Sequence, residues 1–427
     1  MNLNEINKLK YDEIERMEIP NITYTISHSL CTGCGICEGA CPSHAIHMTV
    51  KKGYFVPQVD TSLCKNDKGC HRCHDICPGL GIKLMEQANQ LYCDTLYDNL
   101  IGNYLKCYTG FSTDTVLREQ AASGGIVSQF LIWLLENHKI DGAVVTKFDK
   151  DAPLKVQTIV AKTKDEVLAA KGSKYAPVSL HNVVSAIKKS NGCRYVVVGL
   201  PCHIHGLRKL MAVDKRLKEK IAGVFSLFCS GSQTFNYTEY ILKQCGGKVD
   251  NLKYLAYREG CPTGMVAKGK GFDFFKEYVR YNVPLKGTFY PRRCLLCVDM
   301  FGELADINFG DIHIEDVKEA GTGISGIIVR DKNWLSLLHE AEKSGALQLN
   351  EIAAEQMLYK RYMAKAKKTR NASFVLLLKR FRLAAPLYDS QYEASVNAKT
   401  VLRYMAMRTK QFIGNHKALW FLLPKIK

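Results

Sequence analysis

Two runs of closely spaced cysteines near the amino terminus, alternating helix and strand patterns through the middle, and a cation-rich helical end predict a multidomain chain of α+β and α/β type. The expected divisions are a helix over 1–22, a small cysteine-rich module over 23–90, an α/β domain over 106–350 and a basic helical tail over 351–427. With 427 residues, 47% of them hydrophobic, the chain can bury more than one core, which excludes a mainly disordered protein.

The first cysteine run holds Cys31, Cys34, Cys37 and Cys41, the last followed by Pro42. Three thiols at two-residue gaps and a fourth after three residues form the bacterial ferredoxin pattern, in which the fourth serves the neighbouring cluster. The second run, Cys64, Cys70, Cys73 and Cys77 with Pro78, repeats it with three extra residues between Cys64 and Cys70. A loop with two-residue gaps can wrap three corners of one cube, whereas a cysteine three residues further on has left that loop. The spacing therefore assigns Cys31, Cys34, Cys37 and Cys77 to one 4Fe-4S cluster, and Cys64, Cys70, Cys73 and Cys41 to another. Spaced cysteine pairs also suit structural zinc, but eight cysteines with two Cys-Pro endings fit clusters better.

Twelve of the seventeen cysteines fall in ligand-like settings, which points to a reducing, cytoplasmic compartment rather than a disulfide framework. The first twenty residues carry acids and lack an apolar core segment, so they do not read as a signal peptide. No run of about eighteen apolar residues occurs, which excludes an ordinary membrane-spanning helix. Ile6, Leu9, Ile14 and Met17 give 1–22 one apolar helical face. Residues 86–105 read as a linker, with Cys93 and Cys107 as unligated thiols.

Within the central domain the sequence predicts strands over 142–148, 194–200 and 221–228, with helices over 126–137, 165–171, 179–189, 204–211 and 234–244. This alternation implies a sheet that is at least partly parallel. Ligands of such sheets bind beyond the carboxyl ends of the strands, where Cys202 and Cys229 stand. Residues 251–280 alternate apolar and polar positions, broken by Gly269 and Gly271, as antiparallel strands do. A further helix is expected over 334–343.

Cys202, Cys229 and the pair Cys294 and Cys297 form a second constellation. Spacing alone leaves open two buried thiols plus a short zinc or redox pair. Residues 105–330, however, resemble the coenzyme F-420 hydrogenase/dehydrogenase beta subunit family. The resemblance rests on Ala122-Ser-Gly-Gly125, Lys171-Gly-Ser-Lys-Tyr175, Val198-Gly-Leu-Pro-Cys202, Phe228-Cys229, Cys294-Leu-Leu-Cys297, Glu303-Leu-Ala-Asp306 and Gly323-Ile-Ser325, in that order. It implies a flavin-binding α/β domain in which Cys202, Cys229, Cys294 and Cys297 hold a third 4Fe-4S cluster. It also implies FAD near Ser123, Gly124, Gly125, Gly172, Ser173, Lys174 and Tyr175.

Glycines let a backbone approach a pyrophosphate, and amides at a helix start can donate to it. Lys174 offers a point charge for a phosphate or a donor to the flavin. Asp311 reads as a ligand-facing acid or, more often for such a residue, a cap or ion pair. His203 and His205 are candidates for proton delivery, although buried neutral histidines commonly bond to backbone instead.

The resemblance implies an enzyme in which clusters pass electrons between a ferredoxin-like redox partner protein and FAD, with hydride exchange to a small-molecule substrate. The competing readings are an electron-transfer subunit that docks on a separate catalytic protein, and a zinc-stabilised interaction protein. From Gln356 onward sixteen lysines and arginines face only Asp389 and Glu393. That tail suits an anionic membrane surface or a partner protein. No recognition motif for nucleic acid accompanies the charge.

Overall fold

A computed structural model describes residues 21–149, 151–152, 154–192, 194–260, 263–312, 323–359, 362–389 and 392–426. The helix expected over 1–22 lies outside them, apart from Asn21 and Ile22.

Four parallel strands, Gly142–Phe148, Tyr195–Gly199, Ile221–Leu227 and Ile307–Asp311, form the middle of an eight-stranded sheet. Val156–Ala161 closes one edge antiparallel, and Ser325–Val329, Lys106–Ser112 and Leu347–Ile352 extend the other. Successive residues of a strand point to opposite faces, so a strand covered on both sides reads as a continuous apolar run such as Tyr195-Val-Val-Val. On one face Val144, Val197 and Val224 pack against helices His181–Lys189 and Pro201–Val213. On the other, Ala143, Val196 and Phe225 pack against helices Ile126–Glu136 and Lys332–Lys343. The first of these cores continues into the cysteine-rich module through Leu30, Ile36, Ala40 and Ile76, and into the tail through Phe374, Val375 and Leu378.

Contact between module and sheet is close. A Cβ on Gly39 would lie 2.5 Å from the Val184 Cβ, and one on Gly35 would lie 2.7 Å from the His181 nitrogen. Arg293, almost fully buried, donates to the carbonyls of Gly79 (2.9 Å) and Pro78 (3.1 Å). Strand Tyr54–Val59 pairs with Ile46–Lys51. The stretch 251–280 folds as the antiparallel strands Leu252–Glu259, Gly264–Gly269 and Phe272–Glu277.

Two expectations need correction. The linker over 86–105 is structured: helix Leu84–Leu91 runs into a hairpin of Leu96–Asp98 and Gly102–Tyr104, and the Tyr92 hydroxyl donates to Asp306 (3.2 Å). The tail is not purely helical. Leu387–Tyr388 lies parallel to Gly81–Ile82, and the Asp389 carboxylate accepts from the Met85 and Glu86 amides at the start of helix Leu84–Leu91. That carboxylate sits where the helix dipole favours negative charge.

Gly223 lies in strand Ile221–Leu227 beneath the buried Trp334 ring, and a Cβ there would stand 2.2 Å from the indole. Gly223→Ala is expected to cost about 1–3 kcal/mol through overpacking. A lowered denaturation midpoint measures this; an unchanged midpoint would show that helix Lys332–Lys343 moves away freely.

Candidate functional site

Cys31, Cys34 and Cys37 sit on a loop that turns at Gly33 (φ 74°) and Gly35 (φ 77°), conformations that glycine adopts without strain. Cys77 comes from the far end of the second run. All four thiols line one cavity of about 290 Å³, walled by Ile22, Ile36, Met48 and Ile76. The Gly33 amide donates to the Cys31 sulfur (3.4 Å), and the Thr25 hydroxyl donates to the Cys77 sulfur (3.6 Å). Burial pushes the Cys31 and Cys37 thiols well up and Cys34 up to about 11, with neighbouring sulfurs adding to the effect. Such thiols are neutral until a metal takes the proton's place, and as thiolates they favour soft metals.

Cys73 has Cys41, Cys64 and Cys70 as charge neighbours, and burial pushes its thiol up to about 11. The Ala45 amide donates to the Cys41 sulfur (3.3 Å) and the Asn21 side chain to the Cys64 sulfur (3.5 Å). The extra residues of the second run form a single 3-10 turn, Asn66–Lys68, closed by Gly69 at φ 81°. The insertion therefore adds an exposed knuckle and leaves the grouping of the four thiols intact.

The third group is assembled from three places. Cys202 stands at the start of helix Pro201–Val213, Cys229 follows strand Ile221–Leu227, and Cys294 and Cys297 lie in and just after the 3-10 turn Arg292–Leu296. Burial drives the Cys202 thiol far up, and Cys229, Cys294 and Cys297 reinforce it, as neighbouring sulfurs must. Main-chain amides of Gly231 and Ser232 bond to Cys229 and Cys294.

The tail supplies what sequence reasoning missed. Lys367, 1% exposed, donates to the Cys297 sulfur (3.4 Å) and to the Asp299 carbonyl (2.7 Å). Burial alone would depress this amine; Cys297, Cys229 and Asp299 reverse the shift and keep it cationic. Asn371 donates to the Cys297 carbonyl (2.8 Å), and Lys368 pairs with Glu303 in the interior. Two adjacent lysines in a cation-rich stretch gave no signal of burial.

The groups neighbour one another electrostatically in series. Cys73 is a charge neighbour of Cys37, and Cys34 is one of Cys202. Between the first and third groups lies a crevice of about 320 Å³, lined on one side by Thr32, Gly33 and Phe55 and on the other by Cys202, His203 and Gln233. Among the described residues, no three His, Cys, Asp or Glu side chains converge on a point that would hold a single ion.

The seven residues expected near FAD fall in two segments. The Ser123 hydroxyl donates to the Ile324 carbonyl (2.7 Å), the Gly124 amide donates to the Ser325 hydroxyl (3.1 Å), and Gly125 (φ 73°) precedes helix Ile126–Glu136. Gly172 and Ser173 lead to Lys174, whose ammonium donates to the carbonyls of Ala170, Lys171 (2.8 Å) and Gly172 (3.0 Å). Its three N–H groups thus close a chain turn. Burial draws Lys174 down to about 7, against which those carbonyls favour the charged form.

Tyr175 packs against Tyr257 (ring centroids 5.3 Å apart) and Tyr278 (6.0 Å), and it feels the ion pair of Arg258 with Asp311 (2.5 Å). Ser325 is the ladder partner of Asp311. Both segments therefore gather at the carboxyl end of strand Ile307–Asp311, on the same side of the parallel strands as Cys202 and Cys229.

His203 accepts from the Leu200 amide at Nδ1 (3.1 Å) and donates from Nε2 to the Val178 carbonyl (3.1 Å), with its pKa drawn down to about 4 by burial. It is a neutral structural residue. His205 bonds the buried Asp299 (2.8 Å). Burial would raise the Asp299 carboxyl, but His205 and the lysines Lys368 and Lys367 hold it down to about 2. Cys93 is exposed and Cys107 buried.

Comparison with known proteins fits this arrangement. The chain is 27% identical over 259 residues to the coenzyme F420 hydrogenase subunit beta of Methanothermobacter thermautotrophicus, covering 59% of this chain and 86% of that one. It is 25% identical over 369 residues to the coenzyme F420-dependent sulfite reductase of Methanocaldococcus jannaschii, spanning 81% of this chain but about half (51%) of that protein. The 7-hydroxymethyl chlorophyll a reductase of Oryza sativa matches at 23% over 286 residues, 66% of this chain and 54% of that protein.

A chain of the F420-reducing NiFe hydrogenase complex from Methanosarcina barkeri shares the fold. Its TM-score is 0.55 at 22% identity, covering 68% of this chain and 98% of the other. Residues 24–47 match the 4Fe-4S binding domain. Residues 107–185 match the amino-terminal half, and residues 192–355 the carboxyl-terminal half, of the coenzyme F420 hydrogenase/dehydrogenase beta subunit. With both halves in order behind an iron-sulfur domain, the chain belongs to the coenzyme F420 hydrogenase/dehydrogenase beta subunit family.

Proposed function

We propose that this chain is an iron-sulfur flavoprotein oxidoreductase that links a ferredoxin-like redox partner protein to an organic acceptor through three 4Fe-4S clusters and FAD. The observation that carries the reading is the serial order of three thiol groups as charge neighbours, Cys73 to Cys37 and Cys34 to Cys202, ending at the carboxyl edge of the parallel strands. When bound, the clusters supply single-electron steps, and FAD supplies the conversion between single electrons and hydride.

Each group has ligands fitted to its place. Cys31, Cys34, Cys37 and Cys77 would hold the inner cluster in their shared cavity. Cys41, Cys64, Cys70 and Cys73 would hold the outer one, whose exposed turn Asn66–Lys68 is where a protein donor can approach. Cys202, Cys229, Cys294 and Cys297 would hold the third, under the charge of Lys367. Ser123, Gly124, Gly125, Gly172, Ser173 and Tyr175 stand where FAD would lie beside it, and Lys174 shapes the turn between them. The rings of Tyr175, Tyr257 and Tyr278 give that region an apolar wall that excludes water.

The relatives' names span hydrogenase, sulfite reductase and pigment reductase, so the electron line is the shared element and the acceptor varies. A deazaflavin or another conjugated compound fits a hydride-accepting role. The alternative, an electron-transfer subunit docked on a separate catalytic protein, keeps the same three clusters; the relatives named as subunits favour it.

Anaerobic purification with iron, sulfide and flavin counted per chain tests the assignment. The expected result is about twelve irons and one flavin, falling to about eight irons in Cys202→Ser. Twelve irons without flavin would leave the electron-transfer subunit; eight irons in the unaltered chain would make the third group plain thiols.

Lys367 places a cation beside one cluster only. Lys367→Met is expected to retain iron but lower the potential of the third cluster by tens of millivolts, because an oxidised cluster is then less penalised. Redox titration followed by electron paramagnetic resonance reads the shift; unaltered potentials would confine Lys367 to a packing role.

A further inference from the structure

Helix Ala398–Asn415 has two faces of different chemistry. Its inward face follows helical spacing: Tyr404 packs on Phe374 (ring centroids 5.2 Å), Met407 reaches Gly287, Gln411 donates to the Pro291 carbonyl (3.2 Å), and Gly414 lies against Thr288. The outward face repeats at the same spacing with apolar tips, Leu402 (68% exposed), Met405 (60%) and Phe412 (56%). Phe421 (79%) and Leu422 (56%) follow directly in the 3-10 segment Lys417–Leu422. Five large hydrophobic side chains left in water on one short stretch carry a free-energy penalty that only a covering apolar phase removes.

The charges are arranged to match. Lys399, Arg403 and Lys410 are exposed and, at intervals of four and seven residues, form one row beside the apolar stripe. From Ala394 to Lys427 there is no aspartate or glutamate at all. A convex helix bearing apolar tips flanked by one sign of charge is complementary to a flat anionic surface with an apolar layer beneath it. That is the headgroup region of an anionic bilayer. Among the described residues no helix is long and apolar enough to cross a membrane, so the contact is with one leaflet.

We infer that the outward face of helix Ala398–Asn415, together with Phe421 and Leu422, seats this chain on an anionic lipid surface. The inward face, anchored at Pro291 and Thr288 beside Cys294, fixes the orientation of the redox body on that surface.

The test uses the full chain, purified anaerobically and sedimented with sucrose-loaded vesicles of phosphatidylcholine alone or mixed with phosphatidylglycerol. Expected is a bound fraction several-fold higher with the anionic mixture, reversed by high salt. A Lys399→Gln, Arg403→Gln, Lys410→Gln triple variant and a Phe412→Ser, Phe421→Ser double variant should each lose most of it, while iron content per chain stays that of the unaltered protein. Equal sedimentation with both vesicle types, or binding untouched by both variants, would overturn the inference. So would self-association without vesicles that the Phe412→Ser, Phe421→Ser variant abolishes, since the face would then be a contact between copies. Iron content reports separately on the redox assignment.

Discussion

The seating of the first cysteine loop on the sheet domain is the constraint from which the rest follows. Gly35 and Gly39 let the loop and its short helix reach within van der Waals distance of His181 and Val184. The Leu180 amide donates to the Cys34 carbonyl (2.8 Å), so backbone joins backbone at the point where electrons would cross. Were either glycine larger, the Cys34 side of the inner cavity would be held off Cys202, and two thiol groups in series would become two isolated ones. Packing and electron flow thus make the same demand on the same residues.

A second consequence concerns charge. Four thiolates and iron in an apolar cavity carry net negative charge, which a low-dielectric interior penalises unless donors surround the sulfurs. The inner group has the Gly33 amide and the Thr25 hydroxyl; the third has the Gly231 and Ser232 amides and a full cation in Lys367. The cation favours the more reduced, more negative state. By electrostatics alone a cluster held by the third group would therefore be the better electron acceptor of the two, a downhill step toward the strand ends.

Much of this was legible in the residue order because the chemistry is local. Cysteine spacing within a loop fixes which thiols can share a cube, and the cavity lined by Cys31, Cys34, Cys37 and Cys77 brings together the four that spacing selects. Apolar runs such as Tyr195-Val-Val-Val marked the central strands, since a strand buried on both faces has no other pattern. What local pattern cannot carry is the return of distant chain. Strand Leu387–Tyr388 joins Gly81–Ile82 across some three hundred residues, and its few residues hold no periodicity to detect. The edge strand Leu347–Ile352, with Gln348, Asn350 and Glu351 exposed, runs across the boundary expected at 350, since so short a strand gives little pattern to detect.

The tail shows most clearly why composition misleads. Counted as charge, Lys367 and Lys368 belong with the exposed cations of Lys399, Arg403 and Lys410. In the fold the first two are buried against Cys297 and Glu303, while the last three face outward beside an apolar stripe. One basic segment therefore does two unlike things: its first half sets a cation against a buried thiol group, and its second half leaves a cationic, apolar face outside. Between them helix Ala372–Arg380 ends and the chain turns back to pair with Gly81–Ile82. Removing the whole tail would therefore conflate two effects. Substitutions at the buried Lys367 and at the exposed Lys399, Arg403 and Lys410 separate them, since the first bonds Cys297 and the others face outward.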